Sequence, residues 1–396
     1  MRGAPPEKRI AFLSERSDLY GGGQRSLCDL AGGLRGRGLR PLAILPGPGP
    51  LAEALERQGT EWAALPLPAV LSLGGIGACV ALHRLVRLVR RLGVDLLHSD
   101  SPRTALYAGL AGRLLRRPHV WHLRASRASS AGSDRLLVAL SDRIVSVSRA
   151  ASERSPAVRL SPKTRVVHTG LPAIAFLPRA EARAALDLPP DAFICGVVGR
   201  VEEDKGRDDA LAALFAVRRV SPAALLVFLG PVDSREHWAH TCSLRAAAAG
   251  ASGAVRFIGE RPEAAPLLRA FDLLLHPSRH EALPRVVIEA LFAEVPVVAA
   301  EVGGVSEIIE PGRSGLLVPP GDPESLGRAA AGIAACPEIG RSLARAGLQR
   351  AHGHFGIDRM VDEIAAVYEE ILRPRRAAPT GGRRGSLEGR AREATP

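Results

Sequence analysis

Short apolar runs alternate with helical stretches along this chain, and the alternation is completed twice. Residues 9–14 read as a strand, Gly21-Gly22-Gly23 as a turn, and 24–38 as a helix. Strand-like runs follow at 42–45, 62–67, 94–98, 119–123 and 143–147, with helical stretches at 51–58, 76–92 and 105–115 between them. After a strand-like run at 165–168 and a Pro-rich turn region at 170–179, the pattern restarts. Its strands are expected at 193–198, 225–229, 255–258, 273–276, 297–299 and 315–318, with helices at 208–220 and 286–292 among the connections. Parallel neighbours need a crossover of a dozen or more residues, so this spacing predicts βαβ units and an α/β fold. We expect two such domains, 1–180 and 181–357, then an amphipathic helix at 358–372. The Pro-, Gly- and Arg-rich tail 373–396 lacks apolar periodicity and is expected to be disordered.

Composition narrows the function classes. The 396 residues are 46% apolar but only 4% aromatic, which suits aliphatic cores rather than base-stacking platforms. Five scattered cysteines without a CxxC pair argue against a disulfide framework and a structural zinc site, and favour a reducing compartment. No apolar run reaches the length of a membrane span, and the N-terminal one is too short for a signal peptide. Net charge is +12, unevenly spread. Lys and Arg outnumber Asp and Glu 27 to 12 over 1–180, whereas 181–372 carry 19 against 27. The basic half fits an anionic membrane surface or acceptor. Nothing resembles a recognition helix, zinc finger or aromatic groove, so no nucleic-acid partner is expected. The helix at 76–92 sets Leu82, Leu85, Val86, Val89 and Leu92 against His83, Arg84, Arg87, Arg90 and Arg91. Such a helix packs on its own sheet and can offer its basic face to lipid headgroups.

Chemistry-bearing residues concentrate in the second half. Arg200 and Lys205 follow the run ending at Val198, and ligands of α/β sheets bind beyond carboxyl strand ends. Two cations there can neutralise a diphosphate. The plain alternative pairs them with Glu202, Glu203 or Asp204. Glu281 and Glu289 interrupt apolar surroundings in HPSRHEALPRVVIEAL, which costs folding energy unless the carboxylates are paired or face a cleft. A carboxylate accepts hydrogen bonds from vicinal hydroxyls. Leu283, Pro284 and Arg285 open the next helix, whose free N–H groups, Pro284 excepted, suit a phosphate. Gly303-Gly304 permits a tight turn, and Glu307 reads as local capping chemistry. In the first half, Gly22 and Gly23 belong to a GGGQRSL loop that matches neither GxGxxG nor a P-loop. His122 ends the strand-like run 119–123, in position either to bond a sugar hydroxyl or to sit in the core. His276 and His280 lack a close third ligand, and no Asp-x-Asp occurs, so no metal is expected.

The phrases GGGQRSL, SVSRAASE, VVGRVEEDKG, FIGE, HPSRHEALPRVVIEAL and GGVSEIIEPGRSGLLVPPGDPESL together resemble glycosyltransferase family four, across roughly residues 8–372. The resemblance implies the GT-B fold, two facing Rossmann-like domains with a deep cleft. It implies a nucleoside-diphosphate sugar held mainly by the second domain, an acceptor held mainly by the first, and a last helix bracing the first domain. It also implies retention of anomeric configuration without an agreed covalent nucleophile. Residue by residue, Arg200 and Lys205 resemble the diphosphate-stabilising pair, Glu281 the residue on the donor sugar, and Glu289 the residue on the ribose. His122 resembles the first-domain histidine beside the transferred sugar, and Gly22 and Gly23 the loop near the diphosphate. Departures are Ala282 for a frequent glycine, Glu294 for a small residue, and VVHTGLP without an asparagine–glycine pair. The leading expectation is a cytoplasmic retaining glycosyltransferase, peripheral on the membrane's inner face, acting on a hydroxyl acceptor such as a lipid-linked or envelope polysaccharide. A nucleotide-sugar epimerase or hydrolase, and a non-catalytic basic scaffold or nucleic-acid binder, are the alternatives.

Overall fold

The computed structural model describes residues 7–19, 21–69, 75–127, 130–231, 251, 253–261 and 263–373. Within them the α/β expectation holds. The first sheet contains β1 (Lys8–Leu13), β2 (Leu39–Leu45), β3 (Glu61–Ala64), β4 (Leu96–Ser99), β5 (His119–Leu123), β6 (Arg143–Ser146) and β7 (Thr164–Val166). The second contains β8 (Ile194–Val198), β9 (Leu225–Leu229), β10 (Val255–Gly259), β11 (Leu273–His276), β12 (Val297–Ala300) and β13 (Leu316–Val318). Every pairing is parallel. The orders are β3-β2-β1-β4-β5-β6-β7 and β10-β9-β8-β11-β12-β13. Each order reverses once, between β1 and β4 in one sheet and between β8 and β11 in the other. Chains leave to opposite faces at such a switch point, which opens a crevice beyond the carboxyl ends of the strands.

Helices cover both faces, so central strands read as continuous apolar runs rather than alternating ones. Leu225–Leu229, LLVFL, is buried throughout, as are Ile10 to Leu13 of β1. The helix Ile357–Leu372 follows the second domain but packs on the first. Its Met360, Val361, Ile364, Val367 and Tyr368 join Leu27, Leu30 and Leu34 in one core. Gly33 makes this approach possible, since a Cβ there would overlap the Val361 side chain. The tail from 374 onward lies outside the described residues, as does Cys242. Cys28, Cys79, Cys195 and Cys336 are free thiols.

His98, His119 and His122 are buried in the first sheet, each about 1% exposed. Burial is the main reason each imidazole resists protonation. His119 is held at about 4, and His98 and His122 well below their ordinary value, the latter two also repelled by Arg124. A histidine with a lowered folded pKa binds fewer protons than in the unfolded chain below about pH 6.5. Stability contributed by the neutral rings is therefore complete above pH 6.5 and drains as pH falls. Half-buried Asp100, raised to about 6 mainly by desolvation, works the other way, but as one group against three. Denaturant unfolding between pH 8 and 5 is expected to show a plateau above pH 6.5 and falling stability below it.

Candidate functional site

A cleft of about 470 Å³ lies between the carboxyl ends of the two sheets. Its first-domain wall includes Gly21, Gly22, Gly23 and Arg124; its second-domain wall includes Arg200, Lys205, His276, Glu281, Leu283, Pro284, Arg285 and Glu289. The structure thus brings Gly22, Gly23, Arg200, Lys205, Glu281, Leu283, Pro284, Arg285 and Glu289 to one cleft, but not His122.

At the second-domain switch point, Lys205 Nζ donates to Glu281 Oε1 at 2.6 Å, and His276 Nε2 lies 3.2 Å from the same oxygen. Lys205 ends a short turn, Glu203–Lys205, and Gly206 follows at φ +66. A Cβ at Gly206 would overlap the Pro277 carbonyl, so this glycine lets the β8 loop lie against the β11 loop. Burial pushes the Glu281 carboxyl up, but the adjacent His276 ring and the Lys205 ammonium bonded to it outweigh that and hold it at about 2. Glu281 is therefore ionised, and its Oε2 has no partner among the described residues. Gly303, at φ +50, closes over this loop; a side chain there would overlap the Glu281 carbonyl oxygen. Gly303→Ala is expected to displace Glu281 and lower donor affinity at least tenfold, measured by titration with the donor.

Arg200 pairs with Glu202 at 2.6 Å, the plain alternative, while its side chain stays 59% exposed on the cleft wall. Leu283 and Pro284 precede the helix Arg285–Phe292, whose first N–H groups lack intrahelical acceptors. Arg285 does more than present backbone. Its Nη1 donates to Asp29 Oδ2 at 2.6 Å and to Ser26 Oγ at 3.3 Å, and its Nε donates to Glu289 Oε1 at 2.9 Å. Asp29 and Ser26 lie on the first-domain helix Gly22–Leu34, so Arg285 ties the domains and occupies one oxygen of Glu289. That helix starts at Gly22, two residues earlier than the sequence pattern indicates. The glycines are its first turn, with room for Arg285 and Arg124 beside them.

Glu307 also departs from the local reading. It accepts from Arg149 N at 2.9 Å and Ala150 N at 3.0 Å, and sits 2.8 Å from His168 Nε2. It caps a helical turn of the opposite domain. Ser148 Oγ donates to the Ala282 carbonyl at 2.7 Å beside it, so position 282 contributes its backbone and not its side chain. Glu294 stands at φ +60, the left-handed region that favours glycine.

His122 does not line the cleft. Its Nδ1 lies 3.1 Å from His98 Nε2 and 3.2 Å from Arg124 Nη2, and His98 Nδ1 meets the Tyr368 hydroxyl at 2.6 Å. His122 and Arg124 share a face of the strand line, but β5 ends at Leu123. Arg124 is past the carboxyl end and reaches the cleft, whereas His122 is one pleat deeper. The strand-end rule is the signal that selects Arg124 over His122. His280 does not line the cleft either. Among the described residues, no group of three or more His, Cys, Asp or Glu is arranged to hold a metal.

Residues 20–173 match the family described as Glycosyltransferase Family 4, and residues 178–350 match Glycosyl transferases group 1. A D-inositol 3-phosphate glycosyltransferase of Segniliparus rotundus is 34% identical over 227 residues, 56% of this chain and 50% of that protein. The lipopolysaccharide core biosynthesis mannosyltransferase LpsB of Rhizobium meliloti is 31% identical over 257 residues, 63% of this chain and 71% of that one. The matched region spans about half the length of several such relatives. Among solved structures, Anabaena Alr3699/HepE in complex with UDP and glucose superposes with a TM-score of 0.80 at 22% identity, covering 92% of this chain and 100% of that one. Sucrose-phosphate synthase from Thermosynechococcus elongatus gives 0.73 at 22% identity, covering 92% and 99%. Both halves of the cleft thus match the same kind of protein, and the chain belongs to the group 1 and family 4 glycosyltransferases of the GT-B fold.

Proposed function

We propose that the protein transfers a sugar from a nucleoside-diphosphate sugar to a hydroxyl acceptor with retention of configuration. The observation that carries this reading is the Lys205–Glu281 ion pair with His276 beside it, set at a switch point on the same cleft wall as a helix N-terminus. Lys205 and Arg200 offer cations to the departing diphosphate. The first N–H groups of the helix Arg285–Phe292 add partial positive charge. Stabilising the leaving group in a preorganised polar cleft is the main catalytic contribution such a site makes. Glu281 Oε2 is open to hydroxyls of the donor sugar, and Glu289 to those of the ribose. Arg124 takes the first-domain position that sequence assigns to His122. No metal is required by these groups.

The test needs no acceptor. Slow hydrolysis of an α-linked donor, followed by proton NMR, is expected to release the α-anomer first. First appearance of the β-anomer contradicts retention, and acceptor-free epimerisation of the donor selects the epimerase reading. The UDP and glucose held by the Anabaena protein make UDP-glucose the first donor to try.

A specific surface also supports peripheral membrane contact through the first domain, as at a cell membrane's inner face, with a lipid-linked acceptor. Ile76 and Val80, 72% and 45% exposed, lie one turn apart on the helix Ile76–Arg91. The helix Pro102–Leu115 packed beside it exposes Leu110 and Leu114. Exposed Arg84, Arg87 and Arg91 lie further along the first of these helices, and exposed Arg113 in the last turn of the second. Aliphatic side chains on helices that also carry exposed cations suit anionic headgroups. No described helix is long and apolar enough to cross a membrane. Flotation with phosphatidylglycerol vesicles is expected to carry the protein at low salt and to weaken several-fold in Arg84→Glu/Arg87→Glu. Absence of flotation at low salt removes this reading.

A further inference from the structure

The last helix, Ile357–Leu372, does more than fill the first-domain core. Its Tyr368 is fully buried, and a line of hydrogen bonds runs from its hydroxyl to the cleft wall. The hydroxyl lies 2.6 Å from Nδ1 of His98 on β4, and His98 Nε2 lies 3.1 Å from Nδ1 of His122 on β5. Arg124 Nη2 reaches that same His122 Nδ1 at 3.2 Å. The direction of the line follows from the groups themselves. A guanidinium only donates, so His122 Nδ1 accepts. His98 Nε2 then carries a proton, and the bare His98 Nδ1 accepts from the Tyr368 hydroxyl. Burial holds both imidazoles well below their ordinary range and the phenol well above its own, so the rings stay neutral and the phenol keeps its proton. Burial also lowers Arg124, to about 10, which leaves it a cation at neutral pH.

We propose that Tyr368, His98 and His122 are positioning residues, a buried relay that holds the Arg124 guanidinium on the cleft wall with its charge not neutralised. The proposal rests on the transferase reading above, in which Arg124 faces the donor. Among the described residues Arg124 makes one hydrogen bond, to His122, and no ion pair; Asp100 and Asp29 act on it only at longer range. A carboxylate anchor would cancel the charge locally. A neutral imidazole fixes the orientation and leaves the charge for a departing diphosphate. Arg124 Nε is buried without an acceptor, so the held guanidinium keeps a donor for a ligand oxygen. Tyr368 acts at the far end of the relay. In the reverse arrangement each ring carries its proton on Nδ1, His122 donates to His98 Nε2, and its N–H opposes the guanidinium. That reversal would strand the phenol proton, which has no other acceptor among the described residues. Phenylalanine at 368 removes this bias and frees Arg124 to leave its place. The helix that follows the second domain thus sets a cation in the cleft.

The test uses the full chain and whichever of UDP-, GDP- and ADP-sugars it binds. Nitrogen NMR of the histidine-labelled parent is expected to show His98 and His122 protonated on Nε2 and bare on Nδ1. Slow donor hydrolysis then gives kcat and KM. Arg124→Leu is expected to lower kcat about 100-fold, and Tyr368→Phe about tenfold with KM within about twofold of the parent. In the Arg124→Leu background, Tyr368→Phe is expected to cost no more than about twofold, because a relay that works through Arg124 has nothing left to hold. His122→Asn, which returns an acceptor, is expected to recover most of the activity that His122→Leu loses. Equal losses for Tyr368→Phe in the two backgrounds make the hydroxyl merely structural and overturn the inference. Parental kcat in Tyr368→Phe overturns it too, as does a proton on His122 Nδ1 in the parent, a result that needs no variant to fold. Failure to bind any of the donors is a separate outcome, which removes the transferase reading and the positioning role with it.

Discussion

Replacing Lys205 by alanine is expected to lower turnover about 100- to 1,000-fold, with little change in melting temperature. The ammonium is a quarter exposed, sits on a loop, and makes its contact with one oxygen of Glu281 at 2.6 Å. Nothing in either core depends on it. Its removal leaves Glu281 with His276 and raises the carboxyl from about 2 toward its ordinary range, still ionised at neutral pH. The fold survives and the diphosphate loses a fixed positive charge as it departs. The loss is expected mainly in kcat, since the charge it meets grows toward the transition state. A folded Lys205→Ala protein with activity within a few-fold of the parent contradicts the role.

The second large effect is on stability. Arg285→Ala is expected to cost about 3–5 kcal/mol in denaturant unfolding, because it leaves Asp29 and Glu289 facing each other without their common cation. The guanidinium is only 14% exposed. Burial works against its charge, and the two carboxylates more than offset that, so its pKa is raised. Because Asp29 belongs to one domain and Glu289 to the other, the loss also loosens the cleft. The triple variant Arg285→Met, Asp29→Leu, Glu289→Leu is expected to recover most of the stability, since no stranded charge remains. Equal stability of Arg285→Ala and the parent contradicts the bridging role.

Residues whose partners are close in sequence were legible without a structure. The strands of both sheets show as apolar runs because helices bury both faces. The loops after β8 and β11 show as charged groups beside glycines, because a carboxyl strand end is where a polar ligand is met. Residues whose partners lie in the other domain were not legible. Arg285 finds Asp29 more than 250 positions away, and Glu307 caps a turn more than 150 positions away. Nothing in periodicity or spacing encodes such pairs. The core placement of His122, rather than a place on the cleft wall, has another cause. Depth along a strand is decided by where the strand stops, and one pleat separates a core imidazole from a cleft guanidinium. The glycines at 22 and 23 misled because glycine is a poor helix former, yet they form the first turn of the helix Gly22–Leu34, within ordinary contact distance of Arg285 and Arg124.

The most direct measurement is saturation-transfer NMR with UDP-, GDP- and ADP-sugars against the purified protein and its Glu281→Ala variant. Selective binding of one donor is expected, with nucleotide signals kept and sugar-proton signals lost in the variant. Sugar-proton contacts that persist without the Glu281 carboxylate, or a folded protein that binds none of the donors, would contradict the cleft as a sugar-nucleotide site.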